Sequence, residues 1–151
     1  MMKRQPAKTY YSKVSSPYQW SVGETVGTFF TEMRDNGRLL GKRCASCGKV
    51  FCPPLDHCEF CFDLMGEWVE LPDRGIIRAW TRVEHYHPGM PYDLPFAYAL
   101  IQLEGADNCM VHVLRFTNLD ELAPGAGVKA VWKEPEERQG NIFDIAHFEL
   151  G

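Results

Sequence analysis

A chain of 151 residues, 45% hydrophobic and 24% charged, suits one compact globular unit or one domain with a small appendage. It has no run of about 18 apolar residues, so no bilayer-spanning helix is readable. The net charge of −4 is uneven: residues 1–71 carry nine Lys/Arg against eight Asp/Glu, and residues 72–151 carry seven against twelve. The acidic second half weighs against a nucleic-acid binder, whose affinity comes largely from a basic face on phosphate.

The start, MMKRQPAKTYYSK, is basic and polar with no apolar run behind it, so it does not read as a secretory signal. The cytoplasm is the expected compartment, and its reduced thiols favour metal over disulfides for the cysteines. Residues 1–20 read as a polar arm broken by Pro6 and Pro17 yet carrying Tyr10, Tyr11, Tyr18 and Trp20. Such aromatics dock either on the chain's own body or on a partner.

From Val22 to Gly37 the periodicity predicts a helix. Val22, Val26, Phe29, Phe30 and Met33 form one stripe at i, i+3 or i+4 spacing, and Gly37 suits the C′ position. The stripe rests on this protein or on another subunit.

Leu39 and Leu40 lead into the stretch CASCGKVFCPPLDHCEFC, Cys44 to Cys61, which holds five of the six cysteines. Cys44-x2-Cys47 and Cys58-x2-Cys61 are two knuckles separated by ten residues, the spacing of a tetrahedral four-thiolate site for one structural zinc ion. Iron in the same cage is the alternative. Gly48 follows the first knuckle, where positive φ helps the turn, and the second knuckle lacks that glycine. Cys52 fits neither knuckle and is left out of the shell, and His57 reads as a loop histidine. Four thiolates close the coordination sphere, so the metal is structural rather than catalytic and supplies much of the ribbon's folding energy.

After Gly66 the pattern turns to strands: Glu67–Glu70, Arg74–Tyr86, Phe96–Leu103, Cys109–Phe116, Val128–Glu134 and Asn141–Leu150. In Arg74–Tyr86 the inward candidates are Ile76 or Ile77, Trp80 and Val83. Turns fall at Glu104–Asn108 and Pro124–Gly127. Short strands without intervening amphipathic helices predict a small all-β barrel. The organisation expected is an arm and helix over 1–40, a ribbon over 41–66 and the barrel over 67–151.

GRLLGKRC followed by CG, a PP pair and C-x2-C, together with LPFAYALIQLEG, resembles the small zinc-ribbon/OB-fold proteins that accompany acyl-CoA enzymes. The resemblance covers roughly residues 20–150. It implies a mainly β fold with an N-terminal helix, a rubredoxin-like ribbon and an OB-fold barrel. It also implies a catalytic partner, either a thiolase-like acyl-condensing enzyme or a hot-dog-fold enoyl-CoA hydratase. The small subunit would help shape or close a site that binds the CoA thioester jointly with that partner. Some members of the family serve the thiolase step that cleaves benzoylsuccinyl-CoA in anaerobic aromatic degradation. Only Cys44, Cys47, Cys58 and Cys61 carry over residue by residue.

The chain shows no convincing catalytic set of its own. Cys109 reads as a small strand residue, and on a regular strand His112 would face the opposite side. His85 and His87 could share a strand face, but no third ligand accompanies them. Two stretches could meet a ligand or partner. Arg38, Lys42 and Arg43, with Lys49, form a basic patch for CoA phosphates or a partner's acids, or else a solvated surface. The loop Tyr86–Phe96, with Tyr86, His87, Tyr92 and Phe96, is an interface or acyl-group wall, or else a cap on the barrel. Two competing functions remain, a single-strand nucleic-acid binder and an iron electron carrier.

Overall fold

A computed structural model describes residues 9, 16–88, 90 and 92–151. Its one α-helix among the described residues, α1 (Glu24–Asn36), starts after Gly23 with Glu24 in the first turn, where a carboxylate suits the helix dipole. It stops at Gly37, whose left-handed φ of 60° lets its N–H reach the Met33 carbonyl, while the Arg38 N–H reaches that of Glu32. Phe29 and Met33 are buried in the main core, so the apolar stripe rests on this chain's own body. Val22 lies before the helix and is exposed. Tyr18 and Trp20 are exposed, with ring centroids 4.8 Å apart. Tyr10 and Tyr11 lie outside the described residues.

The ribbon is a three-stranded antiparallel sheet of β1 (Leu39–Cys44), β2 (Val50–Phe51) and β3 (Met65–Leu71), in the order β2-β1-β3. The strand expected at Glu67–Glu70 is therefore longer, and it pairs with β1 rather than with a barrel strand. The alternation that marks it as a strand does not specify which sheet it joins.

Five strands close the barrel: β4 (Arg74–Arg82), β5 (Ala97–Leu103), β6 (Met110–Leu114), β7 (Gly127–Trp132) and β8 (Ile145–Leu150), in the order β4-β5-β6-β8-β7. β7 pairs with β4, and β6 and β8 run parallel, which gives an OB-type barrel. A bulge between Ile77 and Ala79 shifts the register of β4, burying Ile77 and leaving Trp80 half-buried.

All five expected barrel strands are shorter, by several residues in three cases. Arg74–Tyr86 ends at Arg82, so His85 and His87 are exposed loop residues. Cys109 is exposed just before β6. Asn141–Leu150 opens with a 3-10 turn at Ile142–Asp144 instead of strand. Its cause is a capping box in which the Asn141 side chain accepts the Phe143 N–H at 2.8 Å and Asp144 reaches back.

One core joins the helix, the ribbon sheet and the barrel. Phe29 and Met33 of the helix, Leu39, Val50 and Leu71 of the ribbon sheet, and the inward barrel residues from Ile77 to Phe148 are contiguous. A second, small cluster of Cys44, Phe51, Cys58 and Met65, flanked by Leu55 and Cys61, lies at the cysteine end of the ribbon.

Candidate metal centre

Cys44 ends β1, and Cys47 follows on the turn into β2. Cys58 and Cys61 sit on the loop that leads to β3. The two knuckles repeat one backbone pattern. The Cys44 N–H donates to the Lys49 carbonyl at 2.8 Å, and the Gly48 N–H to the Cys44 carbonyl at 2.9 Å. In the second knuckle the Cys58 N–H donates to the Asp63 carbonyl at 2.8 Å, and the Phe62 N–H to the Cys58 carbonyl at 3.0 Å. Gly48 and Phe62 thus occupy equivalent places, with φ of 73° and 62°. Each knuckle needs a left-handed residue after its second cysteine, which glycine supplies without a Cβ penalty.

The four sulfurs lie within 4.8 Å of one another. Cys44 Sγ is 3.4 Å from Cys61 Sγ, and Cys47 Sγ is 3.5 Å from Cys58 Sγ. A tetrahedral ion with metal–sulfur bonds of about 2.3 Å needs sulfur separations of about 3.8 Å, so the set fits one ion after small adjustments.

Charge makes the same case. Four thiolates this close repel one another unless a cation lies among them. The Cys47 N–H holds the Cys44 thiol below its ordinary value. Burial opposes ionisation of Cys58, but the N–H groups of Cys61 and Phe60 outweigh it and bring the thiol down to about 7. In Cys47 the pull of the Lys49 N–H is overcome by desolvation and the facing thiols of Cys58 and Cys44. In Cys61 the Asp63 N–H is likewise outweighed, chiefly by the Cys44 thiol, and the group rises to about 12.

Cys52 stands apart. It is 1% exposed and packs in the main core, and burial pushes its thiol up to about 12. His57 is exposed and pairs only through backbone with Leu64.

The basic patch is internally committed. Arg38 Nε is 2.6 Å from Glu32 and its Nη1 is 3.2 Å from Glu70, while Arg43 Nε is 3.2 Å from Glu67. Lys49 meets Asp107 at 3.3 Å. Lys42 donates to Thr25 Oγ1 at 3.3 Å and lies 5.2 Å from the Trp68 ring centroid. An incoming phosphate would compete with these carboxylates, which long-range sequence spacing does not reveal.

The Tyr86–Phe96 loop divides. Tyr86 and His87 are exposed. Phe96 is 0% exposed, with ring centroids 5.9 Å from Tyr92 and 5.4 Å from Tyr98. Tyr92 is half-buried and its hydroxyl donates to the Ala146 carbonyl. Phe96 is therefore an interior residue, packed where the chain turns back into β5, while Tyr92 keeps part of its surface open beside it.

Cys109 and His112 form no pair. His112 is buried, its Nδ1 accepts the Val113 N–H at 2.9 Å and its Nε2 lies 3.0 Å from the Ile142 carbonyl, so both ring nitrogens are occupied by backbone.

Two polar anchors carry no sequence motif beyond ordinary turn chemistry. Asp107 and Asn108, in the turn between β5 and β6, bind the backbone of Val50, Cys52 and Pro53. Asp144 is fully buried and accepts the N–H groups of Gln139, Gly140 and Asn141 at 2.8, 2.8 and 3.3 Å.

The ChsH2 rubredoxin-like zinc ribbon domain matches residues 31–64. The ChsH2 C-terminal OB-fold domain matches residues 68–133. A DUF35 domain-containing scaffold protein of Pyrococcus furiosus is 26% identical over 112 residues, 74% of this chain and 81% of that protein. A probable enoyl-CoA hydratase alpha subunit of Thermomonospora curvata is 25% identical over 108 residues, 72% of this chain and 33% of that longer protein. Two solved structures share the fold. One is a DUF35-family protein of unknown function from Sulfolobus solfataricus, with TM-score 0.59, 22% identity and coverage of 73% of this chain and 77% of the other. The other is a chain of the Ltp2-ChsH2(DUF35) aldolase, with TM-score 0.60, 22% identity and coverage of 87% and 98%. With both its ribbon and its barrel matched, the chain belongs to the ChsH2-type (DUF35) family of zinc-ribbon/OB-fold proteins.

Proposed function

We propose that this chain is a non-catalytic accessory subunit of an acyl-CoA-processing complex, built around one structural zinc ion held by Cys44, Cys47, Cys58 and Cys61. The observation that carries the reading is the closed four-sulfur site: a filled tetrahedral shell leaves no position for substrate or an attacking water. Among the described residues Cys109 and His112 do not converge for covalent chemistry, since Cys109 is exposed and His112 is buried against backbone. The relatives described as a scaffold protein and as an enzyme subunit support a role beside a catalytic partner.

The partner we propose is a thiolase-like acyltransferase, with benzoylsuccinyl-CoA among its substrates and the CoA thioester bound jointly by the two chains. The Thermomonospora relative favours a second reading, an enoyl-CoA hydratase partner. Ion pairing of Arg38 and Arg43, together with the acidic barrel half, favours both readings over nucleic-acid binding.

The deciding experiment mixes the purified zinc-loaded chain with the thiolase-like or hydratase-like subunit encoded beside it. A stable complex whose thioester chemistry depends on this chain is the expected result. Separate migration, with the enzyme fully active unaided, would sink the proposal.

A further inference from the structure

The second knuckle breaks the rule that the first obeys. Both need a left-handed residue after the second cysteine, and both make the same backbone hydrogen bonds there. The first uses Gly48, whereas the second uses Phe62. A bulky side chain at positive φ is strained, and such strain persists where something other than the fold requires the side chain. Packing does not require it, because Phe62 is 78% exposed.

Its neighbours share that exposure. Phe60 is 59% and Leu64 is 69% exposed. All three lie on one short loop, closed by hydrogen bonds from the Met65 N–H to the Asp56 carbonyl at 2.9 Å, from the Cys58 N–H to Asp63 and from the Phe62 N–H to Cys58. Single exposed apolar residues are ordinary, but three on one clamped loop mark an interaction site. Phe60 is held from within: Phe51 stacks on it at 6.1 Å and 5°, and Lys49 Nζ is 4.4 Å from its ring centroid.

Charge narrows the occupant. Asp56, Glu59 and Asp63 are exposed on the same loop, alternating along the chain with these side chains, and none forms an ion pair among the described residues. Lys49 is already committed to Asp107. An acidic loop repels nucleic-acid phosphate, an anionic membrane and a second copy of the same tip. It complements a protein pocket that is apolar at its centre and lined by Lys or Arg at its edge.

We propose that the tip of the second knuckle, which exposes Phe60, Phe62 and Leu64 together with Asp56, Glu59 and Asp63 on one loop, docks in an apolar, basic-rimmed pocket on the catalytic subunit. This rests on the accessory-subunit reading. The four thiolates hold the loop rigid, so little ordering is left for binding to impose.

Phe62→Gly tests it, because glycine suits the backbone and makes the second knuckle like the first. The variant should keep one zinc per chain and a melting temperature at or above the parent's, while its affinity for the purified catalytic subunit encoded beside it falls at least tenfold. Leu64→Ser should weaken binding in the same direction, and Asp63→Lys should slow association at low salt. Parental affinity in Phe62→Gly and Leu64→Ser overturns the docking proposal alone. Failure of the unaltered chain to bind overturns it together with the accessory-subunit reading. Self-association of the unaltered chain that Phe62→Gly abolishes also overturns it, since the tip would then be a contact between copies.

Discussion

Asp107 and Val50 hold each other twice: the Asp107 carboxylate accepts the Val50 N–H at 2.8 Å, and the Asp107 N–H donates to the Val50 carbonyl at 2.7 Å. Val50 belongs to the ribbon and Asp107 to the β5–β6 turn of the barrel. Asn108 adds a bond from the Cys52 N–H at 2.7 Å and one to the Pro53 carbonyl at 3.3 Å. This junction fixes the metal centre relative to the barrel.

Asp107→Ala should cost about 1–3 kcal/mol in urea unfolding, since it leaves the Val50 N–H without its acceptor. The Val50 N–H, aided by Lys49, holds the Asp107 carboxyl below its ordinary value. Its stabilising effect is therefore present above the unfolded pKa of about 4 and disappears as pH falls through the lower folded value. Asp107→Asn should flatten that part of the acid limb relative to the parent.

Cys44→Ser or Cys61→Ser should abolish stoichiometric zinc binding, measured by elemental analysis. It should also unfold the ribbon, whose own core is only Cys44, Phe51, Cys58 and Met65 with two flanking residues. Cys52→Ser should retain one zinc ion, because Cys52 lies in the main core outside the four-sulfur cluster. Loss of zinc in that variant would overturn the ligand assignment.

Asp144→Ala should cost on the order of 3–5 kcal/mol, because three N–H groups lose their buried side-chain acceptor at once. Chemical denaturation of the zinc-loaded protein measures it, and a loss under 1 kcal/mol would show that water replaces the carboxylate.

Burial holds the His112 ring below its ordinary pKa, outweighing the Ile142 carbonyl, which favours the protonated ring. The unfolded chain accepts a proton that the folded chain resists. This contribution should thus be constant above pH of about 6.5 and turn destabilising as pH falls below it. The stability difference between parent and His112→Gln, followed from pH 8 to 5, isolates this histidine from protonation of the thiolates. A difference that does not change over that range would refute the assignment.

The helix, the two knuckles and the barrel strands are legible in the sequence because each has a local signature: the Phe29/Met33 stripe, the C-x2-C spacing, and alternation such as that of Ala97–Leu103. Pairing is less legible. The pattern of Glu67–Glu70 is the same whether its partner is β1 or a barrel strand, and only the fold decides. Arg38 meets Glu32 locally at the end of the helix, but its second partner Glu70 and Arg43's partner Glu67 come close only after β1 and β3 pair. Phe96 looks like the rim of an exposed loop in sequence, yet it is the first inward residue of the return to β5. The missing glycine after Cys61 is visible in the sequence, but its meaning needs the left-handed φ of Phe62.

The parallel pairing of β6 with β8, registered at Leu114 and Phe148, has a kinetic consequence. The barrel can close only after its last strand is made and returns past β7, a non-local step that pays loop-closure entropy before any contact repays it. The ribbon's strand pairing is local by comparison, all between Leu39 and Leu71. During synthesis the thiolates can therefore capture their ion while the barrel is still open, and the completed ribbon sheet then stands as a template onto which β4 and its successors collapse. Pulsed hydrogen exchange should find the amides of Lys42 and Arg43 protected before those of Val113 and Phe148.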